Sequence, residues 1–145
     1  MDDAGFEFLE HTADVQSRSW GGNLKEAISQ CALSLIATIS PDLNKIDRKV
    51  EKTIKIEAED KEALIFDFLS ELLYIFDVEG LIFSEIQVNS LEETSDTYRI
   101  TVTLKGEKFN REKHSIGTEV KAITYSFMEI KEKENKVEIK IVFDI

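Results

Sequence analysis

The chain has 145 residues, 42% hydrophobic and 32% charged, and its 18 Lys and Arg face 29 Asp and Glu for a formal net charge of −11. That profile fits one soluble globular domain over residues 1–145 and excludes a membrane span, because no apolar run approaches the ~20 residues a bilayer requires. The acidic start Met1-Asp2-Asp3 is unlike a secretory signal, so a cytoplasmic location is expected, and the acidic balance argues against gripping nucleic-acid phosphates directly.

In chain order, Phe6–Leu9 and Asp14–Trp20 read as strands, and Gly21-Gly22 ends the second. Across this region, His11-Thr12-Ala13-Asp14-Val15 followed by Trp20-Gly21-Gly22 gathers a histidine, a carboxylate and a glycine turn. Taken alone the stretch supports two readings: a chemical site, or strand-end polar side chains that find solvent or a backbone partner. Asn23 is an N-cap candidate, with Glu26 three positions on in the manner of a capping box. The apolar stripe that follows runs to about Ile39 and is stopped by Ser40-Pro41. Cys31 lies on that stripe and reads as a small core residue; a lone cysteine also excludes an internal disulfide.

Val50–Ala58 alternates, with Ile54, Ile56 and Ala58 on one face, as a half-exposed strand does. Asp60 is the next N-cap candidate, and Leu64–Phe76 is apolar on most sides, leaving a stripe of Asp67, Ser70, Glu71 and Tyr74. Glu71 on such a stripe either lines a cleft or marks where a core helix reaches water. Gly80 closes this helix, and Ile82–Ser90 with Thr97–Lys105 read as a hairpin. The polar stretch Gly106–Gly117, with Arg111, Lys113 and His114, reads as a loop able to carry binding residues. Val120–Ile130 resumes strand character, and after a turn at Lys133-Glu134-Asn135 the alternation Val137, Ile139, Ile141, Phe143 forms a final strand.

About seven strands arrive in consecutive pairs beside two main helices. The expectation is an α+β two-layer sandwich with a mixed, mostly antiparallel sheet. No glycine-rich phosphate loop is present, since Gly21-Gly22 lacks the required spacing. With only His11 and His114 as histidines, any metal site relies on oxygen ligands, which favours calcium or magnesium over zinc. Asp14 lies near one end of the chain, Asp144 stands beside the main-chain carboxylate at the other, and whether the two ends meet is the question this sequence poses.

Six motifs in order carry a resemblance: His11–Val15, Trp20-Gly21, Glu26-Ala27, Glu71–Asp77, Gly117–Tyr125 and Phe143-Asp144-Ile145. Together they resemble the archease family over nearly the whole chain. The resemblance implies a small non-catalytic protein that assists the RtcB-type RNA ligase of tRNA splicing, promoting its guanylation and multiple turnover. It implies a divalent metal, calcium first and magnesium second, on Asp14, Asp144 and the carboxylate of Ile145. It also implies functional roles for Lys121, for His114 in the preceding loop and for His11. The chain departs from the family pattern at Gln16, where Gly is common, and at Ser126, where His is common.

Two further readings stand beside it. One is a chaperone or specificity modulator of a tRNA cytosine-5 methyltransferase, which the same resemblance implies. The other is a metal-dependent hydrolase in which Asp14 and Asp144 hold magnesium and His11 or Lys121 acts as acid or base. The sequence offers that reading few candidate groups and no nucleophile motif.

Overall fold

The computed structural model describes residues 3–9 and 14–145. In chain order these form β1 (Gly5–Leu9), β2 (Asp14–Gly21), α1 (Leu24–Ile39), β3 (Val50–Ala58), α2 (Lys61–Tyr74), β4 (Leu81–Glu93), β5 (Tyr98–Lys108), β6 (Ala122–Lys133) and β7 (Lys136–Asp144). A short 3-10 turn at Leu43–Lys45 and a π-helical turn at Ile75–Glu79 complete the elements.

Among the described residues the fold is α+β with two main helices and seven strands, as the alternation patterns predict. The strands divide into two sheets, ordered β1-β2-β7-β6 and β3-β5-β4, and their pairings are antiparallel. The single mixed sheet expected from sequence is thus resolved into a pair, and α1 supplies the reason. Every residue from Ser34 to Ile39 is buried, and a helix covered all round has to be packed from more than one side. It therefore rests on β2 and β7 of the first sheet and on β4 of the second, while α2 spans β6, β3 and β5. Leu35, Ile36, Leu64, Phe68, Ile82, Val102, Ile139 and Phe143 belong to a continuous buried cluster that joins both sheets through the helices.

Local signals place the helices. The Asn23 side chain accepts from Glu26 N–H at 2.9 Å, and Glu26 in turn accepts from Gly22 N–H at 2.7 Å. Asp60 accepts from Ala63 N–H at 2.7 Å, giving α2 the same kind of start. Gly80, at φ 69°, ends the π turn in the left-handed region that favours glycine. One boundary differs from the sequence reading: β5 continues through Gly106, Glu107 and Lys108, which the polarity of that stretch assigns to a loop. Gly106 is there because β4 comes very close; a Cβ on it would lie 1.9 Å from the Ile82 carbonyl oxygen.

Candidate functional site at the strand ends

β2 and β7 are the central neighbours of the four-stranded sheet. Their ladder puts Asp14, the first residue of β2, directly opposite Asp144, the last of β7. On the other side of β7, Ala122 at the start of β6 is also opposite Asp144. Three strands therefore begin or end together. Opposed residues in an antiparallel ladder share a face, with Cα atoms about 4.5–5.5 Å apart, so the two carboxylates rise from the same side of the sheet. The alternation dictates which side. Val15, Phe143 and Ile123 form the next rung inward and pack into the core, which turns Asp14 and Asp144 away from it.

Asp144 is exposed and Asp14 half-buried. Lys121 lies just before β6; its N–H donates to the Asp144 carbonyl at 2.7 Å, and the residue is exposed. Ile145 is partly buried and packs against the core, which anchors the chain beyond Asp144. The two carboxylates offer hard oxygens to a cation, and the Ile145 carboxylate is a third oxygen donor one residue on; this donor set suits calcium or magnesium. Among the described residues, no three His, Cys, Asp or Glu side chains converge as a metal site would need. A cation at this end would draw on Asp14 and Asp144 as its side-chain donors among the described residues, and the rest of its shell would fall to main-chain oxygens, the terminal carboxylate or water.

Beside Asp14 lies an open cleft of about 420 Å³, walled by Phe8 and Val15 of the sheet, Thr38 at the end of α1, and Gly117-Thr118 of the segment leading to β6. A second cleft of about 270 Å³ puts Phe76 of the π turn next to Ile116, Thr118 and Glu119. Lys61 pairs with Glu132 at 2.6 Å and Phe66 stacks on Tyr125 at 4.2 Å, so α2 runs antiparallel to β6. Its second half, which carries Glu71, heads toward the Lys121 end.

His114 is 3% exposed and committed inside the protein. Asn110 N–H donates to its Nδ1 at 2.9 Å, so Nε2 carries the hydrogen and donates to Glu107 Oε2, also at 2.9 Å. Glu107 accepts further from Asp47 N–H and from Lys113 Nζ, each at 2.7 Å. Burial alone raises a carboxyl pKa, but the bonds from Lys113, Asp47 and His114 outweigh it and hold Glu107 down at about 2.

The structure thus brings Asp14, Asp144, Ile145 and Lys121 to one end of the sheet. Glu71 occupies a half-exposed position on the half of α2 that heads toward the same end, and does not join the carboxylate pair. His114 stands in the buried Glu107 network instead of on the surface, and His11 lies outside the described residues. Glu107 is the residue that sequence reasoning passes over. A single Glu in a polar run carries no periodic signal; only the continuation of β5 through Gly106 reveals that it points inward.

The archease protein family matches this chain over residues 6–145. A Dictyostelium discoideum protein named archease-like is 37% identical over 143 residues, 97% of this chain and 93% of its own length. The archease of Pyrococcus furiosus is 45% identical over 125 residues, 86% of this chain and 87% of its own. The solution structure of a Methanobacterium thermoautotrophicum protein superposes with a TM-score of 0.84 at 32% identity, covering 97% of this chain and 99% of that one. The crystal structure of a Thermotoga maritima archease, described as a possible chaperone, shares the fold at a TM-score of 0.60 and 22% identity, covering 94% of each chain.

Proposed function

This chain belongs to the archease family, and from that premise we propose that it is a non-catalytic accessory protein of an RtcB-type RNA ligase in tRNA splicing. Its task is to promote ligase guanylation and repeated turnover. The observation that supports this reading is the meeting of Asp14 with Asp144 at the strand ends, next to the exposed Lys121. Asp14, Asp144 and the Ile145 carboxylate would hold a divalent cation, calcium before magnesium, which supplies positive charge to oxygen ligands at this end of the molecule. Asp14 and Asp144 would offer their oxygens from the two sides of one rung of the β2–β7 ladder. The Ile145 side chain, held against the core, keeps the third carboxylate near them. Lys121 presents a mobile ammonium suited to a carboxylate of the partner. To activate the ligase, this end has to bind the guanylation-competent state more tightly than the idle one.

The test is ligase guanylation in vitro with wild type, Asp144→Ala and Lys121→Ala side by side. Wild type should raise the guanylated fraction several-fold at a stoichiometric ratio, and either variant should lose most of that gain. No stimulation by wild type would sink the reading. Stimulation of a tRNA cytosine-5 methyltransferase, or a change in its site choice without any effect on ligation, would put the chaperone reading in its place.

A further inference from the structure

The segment between β5 and β6 has little secondary structure, yet it is stitched to the protein at successive points. Near its start stands the buried pair of Glu107 and His114. Next, Ser40 Oγ donates to the Ser115 carbonyl at 2.7 Å, and Asp42 N–H donates to Ser115 Oγ at 2.8 Å. Gly117 N–H and Thr118 N–H then donate to the carbonyls of Ile39 and Thr38, both at 2.8 Å. Those two carbonyls belong to the last turn of α1, where the helix itself provides no partner. The fit is close, since a Cβ on Gly117 would lie 2.3 Å from the Thr38 oxygen. Three residues beyond Thr118 comes the bond from Lys121 N–H to Asp144.

We infer that Glu107 and His114 are positioning residues for the Asp14–Asp144 end: by clamping the start of this segment, they set where Thr118 walls the cleft beside Asp14 and where Lys121 is presented. This deepens the accessory-protein reading and rests on it for its functional consequence. The geometric part stands on the hydrogen bonds alone. His114 is the pivot because it is bonded from both ring nitrogens, to Asn110 within the segment and to Glu107 on β5. Rotation or loss of the ring breaks both links together. Stacking of the ring on Phe109, centroids 5.6 Å apart, closes the remaining side. Glu107 is the fixed point, because it lies on β5, the central strand of its sheet, and is paired there with Ile82 of β4.

The experiment compares wild type, His114→Ala, His114→Gln, Glu107→Gln and the core control Val102→Ala by amide hydrogen exchange, each at a temperature where circular dichroism shows it folded. In His114→Ala, the amides of Gly117, Thr118 and Lys121 should exchange at least tenfold faster than the variant's loss of global stability accounts for. His114→Gln, which keeps a donor for Glu107, should recover part of that protection. Val102→Ala should accelerate exchange without this local excess. An excess absent from His114→Ala, or equal in Val102→Ala, overturns the proposal. Should His114→Ala not fold, Glu107→Gln carries the same test with the same reading. In the ligase assay, His114→Ala should raise the concentration needed for half-maximal stimulation about tenfold, whereas the control should not. If wild type fails to stimulate, the accessory-protein reading falls while the exchange data still decide the positioning role.

Discussion

Glu107 shows how one side chain is tuned by its surroundings. Its folded pKa of about 2 lies below the ordinary 4.5, so its contribution to stability is whole above about pH 4.5 and lost as the pH falls toward 2. Glu107→Gln should therefore cost about 2 kcal/mol at pH 7, measured by urea denaturation. The difference between the two proteins should shrink steadily below pH 4.5 and be nearly gone at pH 2. A difference unchanged by pH would mean that the charge is not what the Lys113, Asp47 and His114 donors recognise. Cys31 illustrates the opposite case. Burial pushes its thiol up to about 12, which leaves it a core residue of α1, as its place on the apolar stripe implies.

Among the elements, the β4–β5 hairpin carries the tightest constraint. The ladder has irregularities between Phe83 and Glu85 and between Val88 and Ser90, which let the long strands curve over α1. Next to the first of them, Gly106 admits the backbone of Ile82 and Phe83 at a separation no side chain allows. Gly106→Ala should cost at least about 3 kcal/mol of stability, because the clash is with main chain and not with a side chain that can turn aside. The urea midpoint is the measurement. A cost under about 1 kcal/mol would show that β4 yields easily. β6 has an irregularity of its own between Thr124 and Glu129, where Phe127 adopts φ 57° and is 72% exposed. Left-handed backbone is unfavourable for a bulky residue, and such strain is found most often at functional sites. The Ser126 departure from the family pattern falls inside this irregular stretch and on the surface.

For the whole molecule, the net charge of −11 adds to the repulsion between Asp14 and Asp144, which the β2–β7 register sets opposite each other, so a cation bound at the proposed site would stabilise the fold. A ligand bound only by the folded state at a hundred times its dissociation constant raises stability by about 2.7 kcal/mol. Calcium should accordingly raise the melting temperature of wild type by several degrees in a concentration-dependent way, and Asp144→Asn should abolish the rise. An equal rise in both proteins would assign the effect to general charge screening and remove the metal from the proposed function. No helix of the described residues is long and apolar enough to cross a membrane.

The sequence alone carried what depends on neighbours along the chain. Periodicity of 3.6 or 2 located both helices and the seven strands, Asn23 and Asp60 marked the helix starts, and Gly80 marked a stop, because capping and alternation are local physics. It also singled out Asp14, Asp144 and Lys121 through motif resemblance, but did not show that the first two face each other across one rung of a ladder. That required the pairing of β2 with β7, which brings together residues from opposite ends of the chain through hydrogen bonds that no local pattern encodes. The same holds for the division into two sheets, forced by a helix that needs cover on several sides. It holds as well for Glu107 and His114, which read as loop polarity until tertiary packing buries them and gives each a partner. What distant segments do to one another was decided only by the fold.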